Sequence, residues 1–253
     1  MTRILLSGAN GAMGHEIAAC VKARTDCKIV AGIDRNTAEY DDFTIFESPA
    51  QVTAAADVII DFSHVSVLEP LLAYATAERI PAVLCTTGYT PEQVAQIKEA
   101  AKQIPVFYSR NMSMGINLLI ALAKKAAVIL GEQFDIEIIE KHHNRKIDAP
   151  SGTALMITDG ICDALPYPMH YTYDRHSQRK QRDPHEIGLH AVRGGTIVGE
   201  HEVLFAGHHE TLSITHTAQS KEVFATGSVN AAIFLAGQPA GLYDMTDLIQ
   251  SDS

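Results

Sequence analysis

Near its amino terminus the chain reads ILLSGANGAMG, residues 4–14, and this stretch decides the fold class. A short apolar run leads into glycines at positions 8, 11 and 14, and a helical pattern follows at once. Glycine permits unusual φ angles and lets backbone N–H groups approach a ligand closely, while the start of the next helix adds partial positive charge. The stretch therefore predicts a strand, a phosphate-cradling turn and a helix.

An acidic residue follows at the separation that a dinucleotide site requires. Asp34 lies twenty residues after Gly14, at the end of the second predicted strand, where a carboxylate binds ribose hydroxyls. Arg35 comes next, and its guanidinium suits a 2′-phosphate or stacking on adenine. Asp34 favours NADH and Arg35 favours NADPH, so both cofactors stay open. Because the GxxGxxG spacing alone is weak, the alternative is a structural turn with a surface Asp-Arg pair.

The rest of the chain divides into two regions that differ in their pattern of predicted strands and helices. Up to Tyr108, β-rich runs (3–6, 28–33, 58–61, 82–85 and 106–108) alternate with helical ones (13–24, 67–78 and 91–103), which is typical of a parallel sheet with helices on both faces. A long apolar helix over 115–130, a strand over 134–140 and glycine-joined strands over 187–217 come later. We expect an α/β fold: a Rossmann-like doubly wound parallel sheet plus a second α+β domain with an open mixed sheet.

This pattern also predicts the domain boundaries. Residues 1–113 form a dinucleotide-binding domain, which the C-terminal segment 222–253 completes. Residues 114–221 form a domain for substrate binding and oligomerisation.

Composition limits the partners. The net charge of -10 repels nucleic acid and anionic membranes, so an anionic substrate needs a local cationic pocket. Residues 171–184 carry four cations, and we interpret them as a solvated loop rather than a nucleic-acid patch. The apolar run 118–130 is interrupted by Lys124 and Lys125 and falls short of the ~20 residues that span a bilayer. With no signal-peptide pattern and no CxxC pair, we expect a cytoplasmic protein.

The segment most informative about chemistry is EKHHNRKIDAPSGT, residues 140–153. Its two histidines and three cations within six positions can donate a proton and neutralise carboxylates. A helix begins near Gly152 and Thr153, and the N–H groups of a first helical turn form an anion site. The alternative is an exposed, charged connection between a strand and a helix.

Two other functions would also use residues of these motifs: a metal site would use the histidines, and a regulator would use the glycine loop. Twelve histidines invite a metal site, but no HExxH or Cys/His cluster has ligand spacing, and adjacent histidines on a strand point to opposite faces. We therefore predict no metal. A nucleotide-sensing regulator would use the glycine loop without needing the histidine cluster, and it would bind cofactor without oxidising it.

Several segments resemble one enzyme family. The stretch KHHNRKIDAPSGTAL at 141–155 is similar to the signature of the 4-hydroxy-tetrahydrodipicolinate reductase (dihydrodipicolinate reductase) family. The glycine loop, CTTGYT at 85–90, RNMSMGIN at 110–117 and IGLHAVRGGTIVGEH at 187–201 also fall where this family has counterparts. The resemblance implies an NAD(P)H-dependent reduction of a small cyclic dicarboxylate in the diaminopimelate route to lysine, by a homotetramer.

The resemblance also implies roles for individual residues. His142 is the catalytic acid/base and Lys146 the proton donor, while His143, Gly152 and Thr153 bind the substrate. The residues expected to line the cofactor are Gly8, Ala9, Asn10, Gly11, Ala12, Met13, Asp34, Arg35, Cys85, Thr86, Thr87, Ser109, Arg110, Asn111 and Met112. Cys85 departs from the glycine usual in the family, and we expect its thiol to narrow the nicotinamide pocket.

Overall fold

The computed structural model describes residues 1–251, which form two compact units. The first unit comprises residues 1–114 together with the chain from Lys221 onward, and the second comprises Gly115–Ser220. The C-terminal segment therefore rejoins the first unit, because its helix packs against the helix that follows the glycine loop.

The first unit is built on a seven-stranded sheet in which every pairing is parallel. Its strands are β1 (Thr2–Ser7), β2 (Cys27–Ile33), β3 (Ile45–Phe46), β4 (Val58–Asp61), β5 (Ala82–Leu84), β6 (Pro105–Tyr108) and β12 (Gly241–Tyr243). The spatial order is β12-β6-β5-β4-β1-β2-β3. Its helices are α1 (Ala12–Lys22), α2 (Leu68–Glu78), α3 (Pro91–Ala100), α6 (Glu222–Leu235) and α7 (Met245–Ser251).

Both faces of this sheet are buried, which explains why its central strands are apolar throughout. Alternate residues point to opposite faces, so Ile4 packs with Ile17 and Val229 while Leu5 packs with Leu71 on the other side. The predicted Rossmann-like doubly wound sheet is confirmed.

Local sequence also fixes where a helix begins. The Thr90 hydroxyl accepts from Gln93 N at 3.3 Å, and the Gln93 side chain accepts from Thr90 N at 3.0 Å. Pro91 occupies the first helical position, where a missing N–H costs nothing. This capping box starts α3 where the sequence predicts, but the helix ends at Ala100, three residues before the predicted end.

The second unit contains a five-stranded mixed sheet and two helices. Its elements are α4 (Met114–Leu130), β7 (Asp135–His142), α5 (Gly152–Ala164), β8 (His170–Thr172), β9 (Glu186–Arg193), β10 (Gly199–Gly207) and β11 (Glu210–Ala218). In the order β11-β10-β7-β9-β8, the first three strands are antiparallel and the last three parallel. Both helices cover the same face, where Ile138 and Phe205 pack with Leu119 and Ile157. The predicted second domain with a mixed sheet is confirmed.

The long apolar helix α4 begins one residue before the predicted stretch 115–130 and ends with it. The helical stretch Met114–Gln133 is 20 residues long, and by length and composition alone it could cross a membrane. This helical stretch is longer than the apolar run 118–130, because α4 begins at Met114 and a 3₁₀ turn, Gly131–Gln133, follows it directly. Its inward residues Leu119, Ala123 and Ala127 pack in the core of the second unit, so we interpret α4 as a sheet-covering helix.

Most residues of the predicted solvated loop over 171–184 are exposed, but two of its arginines form ion pairs with the second sheet. Arg175 bridges Glu137 and Glu186 at 2.7 and 2.6 Å. Arg182 contacts Asp135 and Glu137 at 2.8 and 3.0 Å, with only 18% of its side chain exposed. These ion pairs fasten the loop to β7 and β9, and they leave neither arginine available to bind nucleic acid.

Candidate active site

The glycine loop leaves β1 with a left-handed backbone. Gly8 has φ +81°, and a Cβ there would lie 2.7 Å from Phe62 O. A Cβ at Gly14 would lie 2.2 Å from Ala9 O, so the fold itself requires both glycines. At Gly11 a Cβ would meet only Gly8 O, at 3.2 Å. Gly11 is therefore less tightly packed against the fold than Gly8 and Gly14, and its lack of a side chain leaves space above the loop.

Asp34 lies directly beside this loop. Its Oδ2 atom accepts from Asn10 N at 3.0 Å and its Oδ1 atom from Asn36 N at 3.0 Å. The Asn10 side chain donates to Asn36 O, and Tyr40 donates its hydroxyl proton to Ala9 O at 2.8 Å. The structure thus joins the end of β2 to the glycine loop, and Arg35 is exposed at the same end.

These residues fit a dinucleotide. Helix α1 starts at the loop, its first turn holds no acidic residue, and Gly11 contributes no capping side chain. The N-terminus of α1 can therefore face a pyrophosphate. Asp34 lies at the carboxyl edge of the sheet, where doubly wound folds bind nucleotides, and its carboxylate is able to accept hydrogen bonds from ribose hydroxyls.

The segments after β5 and β6 lie along the same edge. Thr87 and Arg110 are exposed there, whereas four other predicted site residues are buried: Cys85, Thr86, Ser109 and Met112. Cys85 is 5% exposed and belongs to the core cluster that contains Phe107 and Met112. Burial raises the pKa of the Cys85 thiol well above its usual range. The thiol therefore packs in the interior, and its effect on a nicotinamide pocket stays a prediction. Ser109 donates to Asn111 O at 2.8 Å, which shapes the loop around Arg110.

Sequence reasoning missed Asp61, the last residue of β4. Its carboxylate is 1% exposed and accepts from Thr86 Oγ1 at 2.9 Å and from Ser63 N at 3.2 Å. Asp61 therefore fastens the loop that follows β5 to the loop that follows β4. The signal was present, since an acid directly after a buried apolar strand is unusual.

The histidine segment of the second unit connects β7 to α5. His142 ends the strand, and the hydroxyl of Ser151 caps the helix by accepting from Ala154 N at 3.1 Å. No atom lies within 4 Å of the position that a Cβ would take on Gly152. The N-terminus of α5 therefore opens onto free space, where its partial positive charge attracts an anion.

His142 is held by a carboxylate that sequence reasoning did not single out. Its Nδ1 atom lies 2.6 Å from Oε2 of Glu140, which has no exposed surface. Arg193 donates to both oxygens of Glu140 at 2.7 Å, and Ser151 N donates at 3.1 Å. Arg193 lies 53 positions later in the sequence and reaches Glu140 because β9 pairs with β7. No local sequence pattern reports such a contact.

Burial and charge act in opposite directions on these groups. Burial would raise the pKa of Glu140, but hydrogen bonds from Arg193 and His142 hold it below its ordinary value. Burial lowers the pKa of His142, and Glu140 opposes this shift while Lys146 and Arg193 add to it. His142 is therefore neutral near pH 7 and close to cations that an anionic substrate would neutralise.

Lys146 and His143 occupy the loop between His142 and α5. The Lys146 ammonium lies 2.9 Å from Oδ1 of Asp148, which holds the pKa of that carboxyl below its ordinary value. His143 has a buried Nδ1 atom with no hydrogen-bond partner among residues 1–251. The backbone fixes this loop, because Gly194 N donates to His142 O at 2.9 Å and Asn144 N donates to Gly195 O at 3.2 Å.

The histidines outside this loop have structural surroundings. His201 lies in β10, pairs with His216 of β11, and contacts Ser151 Oγ at 3.0 Å. His208 and His209 form the tight turn between those strands. Within the part of the chain that the structure describes, no group of three His, Cys, Asp or Glu side chains is arranged to hold a metal ion.

A dinucleotide cradle on a parallel sheet and a histidine–lysine loop on a second, mixed sheet define a pyridine-nucleotide-dependent oxidoreductase of two units. Family models described as dihydrodipicolinate reductase, N-terminus and C-terminus, match residues 2–112 and 115–249. The chain belongs to the dihydrodipicolinate reductase family, as the sequence predicts. Its first unit corresponds to the NAD(P)-binding domain of this family.

Individual relatives cover almost the whole chain. The 4-hydroxy-tetrahydrodipicolinate reductase of Caldanaerobacter subterraneus subsp. tengcongensis is 51% identical over 250 residues, 99% of each chain. That of Clostridium tetani is 48% identical over 251 residues, 99% of this chain and 98% of the relative. Among solved structures, dipicolinate-bound dihydrodipicolinate reductase from Paenisporosarcina sp. TG-14 matches with TM-score 0.80 and 25% identity, covering 96% of this chain and 97% of that one.

Proposed function

We propose that this chain reduces 4-hydroxy-tetrahydrodipicolinate to tetrahydrodipicolinate, in the diaminopimelate route to lysine, with NADH or NADPH as reductant. The main support for the proposal comes from the segment between His142 and α5 in the second unit. A buried carboxylate orients His142 at the start of a loop that ends at the open N-terminus of α5. That arrangement joins a proton-transfer group to an anion site, as the reduction of a cyclic dicarboxylate requires.

The side chains divide the work as follows. When bound, the reduced cofactor would supply the hydride, and the overall reaction takes up one proton and releases the 4-hydroxyl group of the substrate as water. His142 acts as acid/base, Lys146 donates the proton, and His143 with the backbone at Gly152 and Thr153 binds the substrate carboxylates. Lys146 now contacts Asp148, so a substrate carboxylate would exchange with that partner. A positioned general acid accounts for about 10²- to 10⁴-fold in rate, and charge neutralisation contributes further.

Cofactor binding is assigned to the first unit. Gly8 to Met13 enclose the pyrophosphate and Asp34 with Arg35 receive the adenosine ribose. The loops after β5 and β6 approach the nicotinamide half through Cys85, Thr86, Thr87 and Ser109 to Met112. Backbone atoms are the expected contacts at Cys85 and Met112, because both side chains lie in the core.

We further propose that the chain is cytoplasmic and forms a homotetramer. The tetramer is supported by the second sheet, which has one face that α4 and α5 do not cover. Along β10, Glu200, Glu202 and Leu204 alternate with buried residues and face away from both helices. Val192, which pairs with Lys141 on the same face, is 44% exposed. Sedimentation equilibrium tests the tetramer, and a monomer at micromolar concentration would exclude it.

The activity is tested by following NAD(P)H absorbance with freshly prepared 4-hydroxy-tetrahydrodipicolinate. We expect turnover, and we expect His142→Ala to lower kcat strongly while leaving the cofactor dissociation constant unchanged. Unchanged turnover would remove His142 from the mechanism. Cofactor binding without oxidation by the wild-type chain would contradict the enzyme and favour a nucleotide-sensing regulator.

A further inference from the structure

Glu140 is surrounded by hydrogen-bond donors. Its Oε1 atom accepts from Ser151 N at 3.1 Å and from Arg193 at 2.7 Å, and its Oε2 atom accepts from Arg193 at 2.7 Å. A backbone N–H and a guanidinium can only donate. The fourth contact, at 2.6 Å, is Nδ1 of His142, the one neighbour whose role depends on where its proton sits.

The ionisation of Glu140 decides that role. Arg193 and His142 keep the pKa of Glu140 below its ordinary value despite its burial, so the group is a carboxylate at neutral pH. An ionised carboxylate only accepts, and Nδ1 must therefore carry a proton in both the neutral and the charged ring. Proton exchange falls to Nε2. That atom would lie 3.2 Å from a Cβ on Gly199, a position where glycine leaves only backbone beside it.

We propose that Glu140 and Arg193 are a positioning pair that fixes the tautomer and orientation of His142, so that only Nε2 exchanges protons. Arg193 keeps Glu140 ionised through its two hydrogen bonds. It also donates to Asp148 O at 2.7 Å, which ties the loop between His142 and α5 to the same carboxylate. This inference rests on the proposed function, since a fixed tautomer matters to the reaction only if His142 exchanges the proton.

The charged neighbours predict how each partner shifts the titration of His142. Glu140 on β7 raises the pKa of His142, whereas Arg193 on β9 and Lys146 in the loop lower it. His201 on β10 packs edge-on against the ring at 5.1 Å between centroids, and burial keeps it neutral. Loss of the Glu140 charge should therefore lower the pKa of His142.

A purely structural role makes a different prediction. A buried ion pair that only fastens β7 to β9 would affect the free energy of unfolding in either variant, and it would leave the tautomer and the pKa of His142 alone. Breaking such a pair is destabilising whichever partner is removed. The two roles are therefore separated by readouts taken on the folded protein.

The decisive variant is Glu140→Gln, which keeps the shape but replaces one oxygen with an NH₂ group. Because Ser151 N and Nη2 of Arg193 both need the remaining oxygen, the NH₂ group takes the Oε2 position, faces Nδ1 and donates to it, while Nη1 of Arg193 loses its acceptor. The neutral ring then carries its proton on Nε2. We expect ¹⁵N NMR of the histidine rings, with His142 assigned by comparison with His142→Gln, to show Nδ1–H in the wild type and Nε2–H in Glu140→Gln.

Kinetics give the second readout. We expect Glu140→Gln to lower kcat about 10²-fold or more, within the range that a general acid contributes, with the cofactor dissociation constant unchanged. Glu140→Asp, which keeps an ionised acceptor, should recover part of kcat and retain the Nδ1–H tautomer. The pH limb of kcat assigned to His142 should move down in Glu140→Gln.

Two results overturn the inference: a wild-type His142 that carries its neutral proton on Nε2, or a folded Glu140→Gln with kcat within twofold of wild type. Failure of the proposed function is recognised separately. If His142→Ala retains full turnover or the wild type has no reductase activity, the catalytic assignment falls. The wild-type NMR spectrum still decides the tautomer, and it needs no variant that folds poorly.

Discussion

The hydroxyl of Ser151 lies 3.0 Å from Nε2 of His201, where the N-terminus of α5 meets β10. The same hydroxyl oxygen accepts from Ala154 N and caps the helix. Its proton is therefore free to be donated to His201. His201 is 4% exposed, and burial lowers its pKa to about 3. A neutral histidine thus supports the helix end that we assign to substrate binding.

The first prediction is that stability falls with acid because of His201. A histidine titrates near pH 6.5 when unfolded and near 3 in the folded chain. Its contribution is therefore complete above about pH 6.5 and is lost as the pH falls toward 3. Between pH 7 and pH 5 we expect a loss of about 2 kcal/mol in the free energy of unfolding, measured by urea denaturation.

His201→Gln is the matched variant for this experiment. Glutamine offers a non-titrating acceptor at a similar distance, so the Ser151 hydroxyl keeps a partner. The pH dependence between 5 and 7 should be shallower than in the wild type by about one proton. An identical slope in the two proteins would show that another group binds the proton.

The second prediction concerns Gly152. No atom lies within 4 Å of a Cβ at this position, and alanine is the better helix former. Gly152→Ala should therefore fold as well as the wild type. If the substrate carboxylate approaches this helix end, we expect the added methyl to raise the substrate KM about tenfold or more, a cost of ~1.4 kcal/mol.

Gly237→Ala is the control, since Gly237 also has no neighbour within 4 Å of a Cβ and lies in the first unit. It should leave the KM for the substrate and the KM for the cofactor unchanged. Dipicolinate, the ligand bound to the Paenisporosarcina relative, gives a binding readout that does not depend on turnover. Equal dipicolinate affinity in Gly152→Ala and the wild type would place the carboxylate elsewhere.

Local sequence predicts those parts of the fold and site that local interactions create. The glycine turn, the Thr90 capping box and the apolar strands follow from residues close in sequence, and each forms near its predicted place. The Glu140–Arg193 pair does not, because it depends on the pairing of β7 with β9 across 53 positions.

The basic loop shows the same limit. Composition identifies Arg175 as a surface cation, whereas its partners Glu137 and Glu186 reach it only through the folded sheet. Charge counts describe the amount of charge on a segment and leave its pairing undetermined. Local sequence also left the burial of Cys85 unpredicted, because its side chain packs in a core formed by residues distant in sequence.

The third prediction separates two glycines of the cofactor loop. A Cβ at Gly11 would lie 3.2 Å from Gly8 O, closer than ordinary van der Waals contact, so Gly11→Ala should lower the Tm by much less than Gly14→Ala. If the pyrophosphate lies above this residue, its NADH dissociation constant should rise about tenfold, ~1.4 kcal/mol. Gly14→Ala, whose Cβ would lie 2.2 Å from Ala9 O, should instead lower the Tm. Fluorescence titration and calorimetry measure the two effects, and unaltered NADH affinity in Gly11→Ala would argue against this placement.

The fourth prediction distinguishes the charge of Lys146 from its proton. Lys146→Met should lower kcat/KM about 10²-fold, because it removes both. Lys146→Arg keeps the charge but cannot release a proton near neutral pH, so it should recover the substrate KM and not kcat. Arg145→Met removes the neighbouring exposed cation of the same loop and should have little effect. Equal losses in Arg145→Met and Lys146→Met would indicate a general effect of loop charge.

The fifth prediction concerns the choice between NADH and NADPH. The Asp34 carboxylate lies beside the glycine loop, with Oδ2 3.0 Å from Asn10 N, and like charges repel a 2′-phosphate placed there. Asp34→Ser removes that charge, and we expect the ratio of kcat/KM for NADPH to that for NADH to rise about tenfold, ~1.4 kcal/mol. Arg35→Ser removes the cation suited to the 2′-phosphate and should change the ratio in the opposite direction. Because the two substitutions predict opposite signs, a shared loss of cofactor affinity cannot imitate the result. Ratios that move in the same direction would show that these two side chains do not set the cofactor preference.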